Sequence, residues 1–121
     1  MKIRKKSGWM VGLIVALMSC GGRAQSIEAM MNSGQELLRN GAASQAVAVF
    51  RKVLSRDPQH FEAQHNLGFS YLMMGRNAEA VRELKRAIKL NGRNAETWAN
   101  IAVAYENLGQ TQKALDALYQ A

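Results

Sequence analysis

From residue 27 to the end of the chain, apolar, small and polar residues return at a fixed interval of 34. Gly34, Gly68 and Ala102 fall in register, as do Gly41, Gly75 and Gly109, and Ala46, Ala80 and Ala114. Phe50, Leu84 and Leu118 form a fourth set; Leu37, Tyr71 and Tyr105 a fifth; Asn32, Asn66 and Asn100 a sixth. No insertion breaks the register, which divides the chain into units 27–60, 61–94 and 95–121, the last stopping inside its unit. Self-similarity at a period of 20–50 residues marks a stacked array in which each unit is one supersecondary element.

A single proline and few β-branched residues make that element helical. The pattern predicts helices near 27–40, 44–56, 61–74, 78–90, 95–108 and 112–121, two per unit. Gly41, Gly75 and Gly109 close the first helix of each pair, where a left-handed residue costs least. Asn77 and Thr111 fall where they would N-cap second helices, and Asn94 where it would cap the first helix of the third unit. Small residues at fixed offsets let helix axes approach while large ones fill the spaces between.

These residues resemble the tetratricopeptide repeat family over all 95 positions from 27 to 121. Unit two supplies the pattern as Leu67, Gly68, Tyr71, Ala80, Leu84 and Ala87, and unit three as Trp98, Ile101, Ala102, Tyr105, Ala114, Leu118 and Ala121. Unit one departs most, with Met30, Ser33 and Val53 at pattern positions. It keeps the closing proline as Pro58, which Gly92 replaces in unit two. The resemblance implies an all-α fold: three antiparallel helix-turn-helix repeats in a short right-handed solenoid.

The resemblance also implies that the first helix of each pair lines a concave face. Carried over by position, that face holds Glu28, Met31, Asn32, Gln35, Leu38 and Arg39 in unit one. Unit two gives Glu62, His65, Asn66, Phe69, Leu72 and Met73; unit three gives Glu96, Ala99, Asn100, Val103, Glu106 and Asn107. Met31, Leu38, Phe69, Leu72, Met73 and Val103 make an apolar strip, with methionines that adapt to a ligand's shape. Such a strip suits a helix or an extended peptide. Asn32, Asn66 and Asn100 form an amide ladder able to pair with a peptide backbone, since an amide both donates and accepts. The arrangement is similar to the tetratricopeptide part of O-linked N-acetylglucosamine transferase. The co-chaperones that grip an acidic C-terminus use groove cations instead; here Met31, Gln35, Glu96 and Asn100 stand at those positions, which excludes that clamp.

Charge adds a leader. The chain carries a formal +7, yet from residue 25 onward 11 Lys+Arg face 9 Asp+Glu. The excess belongs to Lys2, Arg4, Lys5, Lys6 and Arg23. A basic start, an uncharged apolar run from Trp9 to Met18 and small residues after it have the layout of a signal peptide over 1–26. The uncharged stretch from Ser7 to Gly22 is shorter than the roughly 20 residues of a membrane span. Leu17-Met18-Ser19-Cys20 resembles a bacterial lipobox, with Cys20 as the lipidated residue; cleavage before Gln25 and retention as an anchor are the alternatives. Lone Cys20 makes no internal disulfide.

Catalytic strings such as G-x-x-x-x-G-K, G-x-S-x-G and H-E-x-x-H are absent from the sequence. His60 and His65 are five apart rather than the four of a helical metal pair. Neither catalysis, a cofactor nor a metal is expected. Arg51, Lys52, Arg82, Lys85, Arg86 and Lys89 lie on second helices and read as a solvated convex face, diluted by Glu79 and Glu83; no nucleic-acid partner is expected. The expected function is a protein-binding scaffold of the bacterial cell envelope, periplasmic or membrane-anchored, with a protein or peptide partner. The alternatives are a homodimer paired through the open C-terminal helix and the first part of a longer array.

Overall fold

The structure, a computed structural model, describes residues 25–121. The expected leader, with Cys20 and its alternative cleavage positions, lies almost wholly outside the described residues. Six helices follow: α1 (Ile27–Arg39), α2 (Ala43–Arg56), α3 (Phe61–Met73), α4 (Asn77–Leu90), α5 (Ala95–Asn107) and α6 (Thr111–Gln120). Each starts and stops within one residue of its predicted span, and no strand occurs among the described residues.

The turn inside each unit is set by its glycine. Gly41, Gly75 and Gly109 have φ of 78°, 74° and 73°, a region that lacks strain only without a Cβ. In the first turn Gly41 N–H donates to Leu38 O at 3.1 Å and Ala42 N–H to Leu37 O at 2.8 Å. That pair of bonds is a Schellman closure, which satisfies the last carbonyls of α1. The same closure ends α3 and α5 through Arg76 and Gln110.

The first helices begin on side-chain caps: Ser26 Oγ accepts from Ala29 N–H at 3.0 Å, His60 Nδ1 from Ala63 N–H at 3.1 Å, and Asn94 Oδ1 from Thr97 N–H at 2.9 Å. The expectation for Asn77 and Thr111 is corrected. Both are first helical residues, and the N-cap positions before them, Arg76 and Gln110, make no side-chain cap bond. The tight glycine turn leaves one residue before the next helix, so the amide of Asn77 turns back onto Gly75 O at 3.1 Å instead.

Packing follows the register. Gly34 faces the ring of Phe50 and Gly68 faces Leu84; Phe50 and Leu84 are fully buried. Each second helix packs on the first helix of its own unit, and α2 and α4 pack also on that of the next. The first helices also touch one another, α1 on α3 and α3 on α5, whereas α2, α4 and α6 make no such contact among themselves. A stack closed on one side and splayed on the other bends toward the closed side, so α1, α3 and α5 form the inner wall.

Candidate functional site

Residues at the same register position lie at the same level on α1, α3 and α5, so the inner wall carries bands running across the helices. At the first turns stand Glu28, Glu62 and Glu96, all exposed. Mid-helix stand Asn32, Asn66 and Asn100, the first exposed and the other two half-buried. Toward the C-terminal ends stand the apolar residues: Leu38, Phe69 and Leu72 half-buried, Met73 and Val103 exposed. Leu38 and Leu72 lean on the core cluster, which gives the apolar band a firm floor.

Met31 is not part of that band. It is 5% exposed and belongs to the core. Like its neighbour Met30 it is covered by the core cluster rather than displayed.

Gln35, His65 and Asn66 meet in a cavity of about 250 Å³ that Phe61, Glu62, Asn94 and Glu96 complete. Hydrogen-bond bookkeeping fixes its polarity. Asn94 Oδ1 accepts from the backbone N–H of Thr97, and from the Thr97 hydroxyl at 2.9 Å. With its proton so committed, Thr97 Oγ1 accepts from His65 Nδ1–H, 2.8 Å away. The neutral imidazole has one N–H, so Nε2 carries the lone pair, and it lies 3.7 Å from Glu96 Oε1. Burial lowers the pKa of His65 below its ordinary 6.5, against the pull of the Glu96 and Glu62 carboxylates. The Phe61 ring lies 5.9 Å from the imidazole, tilted by 33°. Phe61 and Asn94 escape a reading by groove position, because one opens its helix and the other precedes one. At the middle level, Asn100 Nδ2 is buried with no hydrogen-bond partner among the described residues.

Charge is segregated between the two faces. The inner helices carry Glu28, Glu36, Glu62, Glu96 and Glu106 against Arg39 alone, and Arg39 is paired with Glu36 at 3.1 Å. The outer helices carry Arg51, Lys52, Arg56, Arg82, Lys85, Arg86, Lys89 and Lys113 against Glu79, Glu83 and Asp116. The expected dilution by Glu83 needs correction in form. Glu83 is buried, taking a hydrogen bond from Gln64 Nε2 at 2.7 Å, with Arg82 and Arg86 both 3.4 Å away. Arg51 and Arg76 face the Tyr71 ring, and Lys85 and Lys113 face that of Tyr105.

Among the described residues no helix is long and apolar enough to cross a membrane, and no group of three or more His, Cys, Asp or Glu comes together as for a metal ion.

Comparison with known proteins places the fold. Models of the tetratricopeptide repeat match residues 37–89 and 100–121, and a TPR repeat model matches residues 73–109. With six helices paired as described, the chain belongs to the tetratricopeptide repeat family, whose members commonly act in protein–protein interaction. No curated protein matches it. Among solved structures, a crystal structure of MamA is 24% identical and superposes with a TM-score of 0.79, covering 96% of this chain and 68% of that one. MamA 41-end from Desulfovibrio magneticus RS-1 is 26% identical, with a TM-score of 0.75 over 81% of this chain and 55% of that one. The second TPR of Spaghetti (RPAP3), bound to the HSP90 peptide SRMEEVD, is 19% identical, with a TM-score of 0.75 over 84% of this chain and 94% of that one. The chain spans from 52% to 68% of the length of the MamA chains it matches.

Proposed function

We propose that this protein is a non-enzymatic scaffold of the bacterial cell envelope that holds a helix or an extended peptide against its inner wall. The observation that carries the reading is the banded wall itself: an apolar strip of Leu38, Phe69, Leu72, Met73 and Val103 beside a row of amides, left open by the fold. A structural neighbour of the same fold is bound to a peptide. The envelope location rests on the leader: its basic start, its short apolar run and the lipobox-like segment ending at Cys20. Phe69→Glu and Leu72→Glu should abolish capture of the native partner from host membranes while leaving helicity intact; equal capture rejects the groove. Mass spectrometry of the mature protein should find a diacylglyceryl group on Cys20; a free Gln25 N-terminus or an intact leader with an unmodified thiol rejects lipidation.

A second reading, a homodimer paired end to end, is favoured by one contrast. Val81 and Leu84 are 8% and 0% exposed under α5, whereas their register mates Leu115 and Leu118 are 46% and 52% exposed. Together with Val103 they line an apolar hollow of about 280 Å³ at the C-terminal end. At the other end α1 presents Ser33 and Glu36, where the inner units bury Leu67 or Ile101 and Ser70 or Ala104. An apolar α6 and a polar α1 suit two copies meeting by their C-terminal ends, and equally a further repeat stacked on α6. Light scattering should then report a dimer that Leu118→Lys converts to monomer.

A further inference from the structure

We infer that the cavity between α3 and α5 is a subsite for a basic side chain, arginine or lysine, of the peptide held on the inner wall. This rests on the groove reading and adds to it the chemistry of the partner.

The argument is one of donors and acceptors. The Glu62 and Glu96 carboxylates only accept when ionised, and the hydrogen-bond chain from Asn94 through Thr97 leaves His65 Nε2 as an acceptor too. All three line the same cavity. Gln35 and Asn66 add amide oxygens that turn to suit a donor. A guanidinium brings five N–H donors in a planar fork and an ammonium brings three, and neither accepts. The rings of Phe61 and His65 both line the cavity, and a cation that reaches an aromatic face is further stabilised. A carboxylate, by contrast, would meet two like charges and no free donor of full charge.

The wider surface agrees. Arg39, the one arginine of the inner helices, is engaged by Glu36, so the inner wall attracts cationic segments from a distance and the outer face repels them. The apolar band begins one to two helical turns from the cavity, with Phe69 and Leu72 next along α3. The fitting segment therefore carries a basic residue followed, a few residues on, by an apolar one.

The test uses the full chain and a positional-scanning library of short synthetic peptides with blocked ends. The expected result is enrichment of arginine or lysine at one position and of apolar residues at another. Affinity for the selected basic peptide should fall at least about tenfold in a Glu62→Gln, Glu96→Gln double variant, as for loss of charge-assisted bonds. Glu62→Lys with Glu96→Lys should switch the preference to acidic peptides, with the helical circular dichroism unchanged. Peptides that bind through Phe69 and Leu72 with no basic preference, or with one that both double variants keep, overturn the subsite and leave the groove standing. Absence of any peptide sensitive to Phe69→Glu and Leu72→Glu overturns both.

Discussion

A Cβ on Gly68 would stand 2.5 Å from Cγ of Leu84, closer than real atoms come. The helices α3 and α4 meet at this point, and the same relationship holds between Gly34 and Phe50 at 2.6 Å. Gly68→Ala should therefore destabilise the fold by about 1–3 kcal/mol through overpacking, less the gain in helix propensity of about 1 kcal/mol. In a Leu84→Ala background the two obstructing side-chain atoms are gone and only the backbone N of residue 84, 3.1 Å away, stays close, so the same change should cost less than in the wild-type chain. Urea unfolding of the four members of the cycle measures the coupling.

Leu84 and Leu118 occupy the same register position, yet one is fully buried and the other half-open. Leu84→Ala should cost about 2–5 kcal/mol, a large share of a stability of about 5–15 kcal/mol. Leu118→Ala in the monomer should cost well under half of that. A larger loss that grows with protein concentration would instead report a buried end face.

Asn94 holds both the backbone N–H and the hydroxyl of Thr97, itself fully buried. Asn94→Ala should cost about 1–2 kcal/mol, the upper range for an N-cap. Asn77→Ala and Thr111→Ala, at positions that cap nothing, should stay within about 0.5 kcal/mol. Thermal denaturation of the three variants separates real caps from apparent ones.

The pH dependence follows from His65. Its folded-state pKa is lowered by burial, so the unfolded chain binds a proton more readily than the folded one. The stability it contributes is complete above about 6.5, the unfolded value, and is lost as pH falls from there through the folded pKa. Urea midpoints should drop between pH 7.5 and pH 5.5 in the wild-type chain, and His65→Gln should reduce that drop. An unchanged slope would place the titration elsewhere.

Helix positions were legible because they depend on a period, and a period is a property of many residues at once. Phe50, Leu84, Gly34 and Gly68 mark helix crossings whichever neighbour is doubtful. Caps were less legible because they depend on one residue. Asn77 has the right chemistry one position too late, while His60 caps with an imidazole, a type that cap rules pass over. Met31 was misplaced because its exposure depends on the core cluster that covers it, a property of the packed helices. The cavity around His65 was partly visible: Gln35, Glu62, His65, Asn66 and Glu96 were marked by position, but the state of the imidazole depends on Asn94 and Thr97, which act from a different helix. The pairing of buried Gln64 with Glu83 had no sequence signal, since both look like surface residues.

Among the described residues, like helices of successive units touch along the seam of the three inner helices and nowhere else. An array joined along one edge flexes about that edge as a fan does about its rivet. Their like charges push the lysine- and arginine-bearing outer rods apart, which keeps that edge the open one.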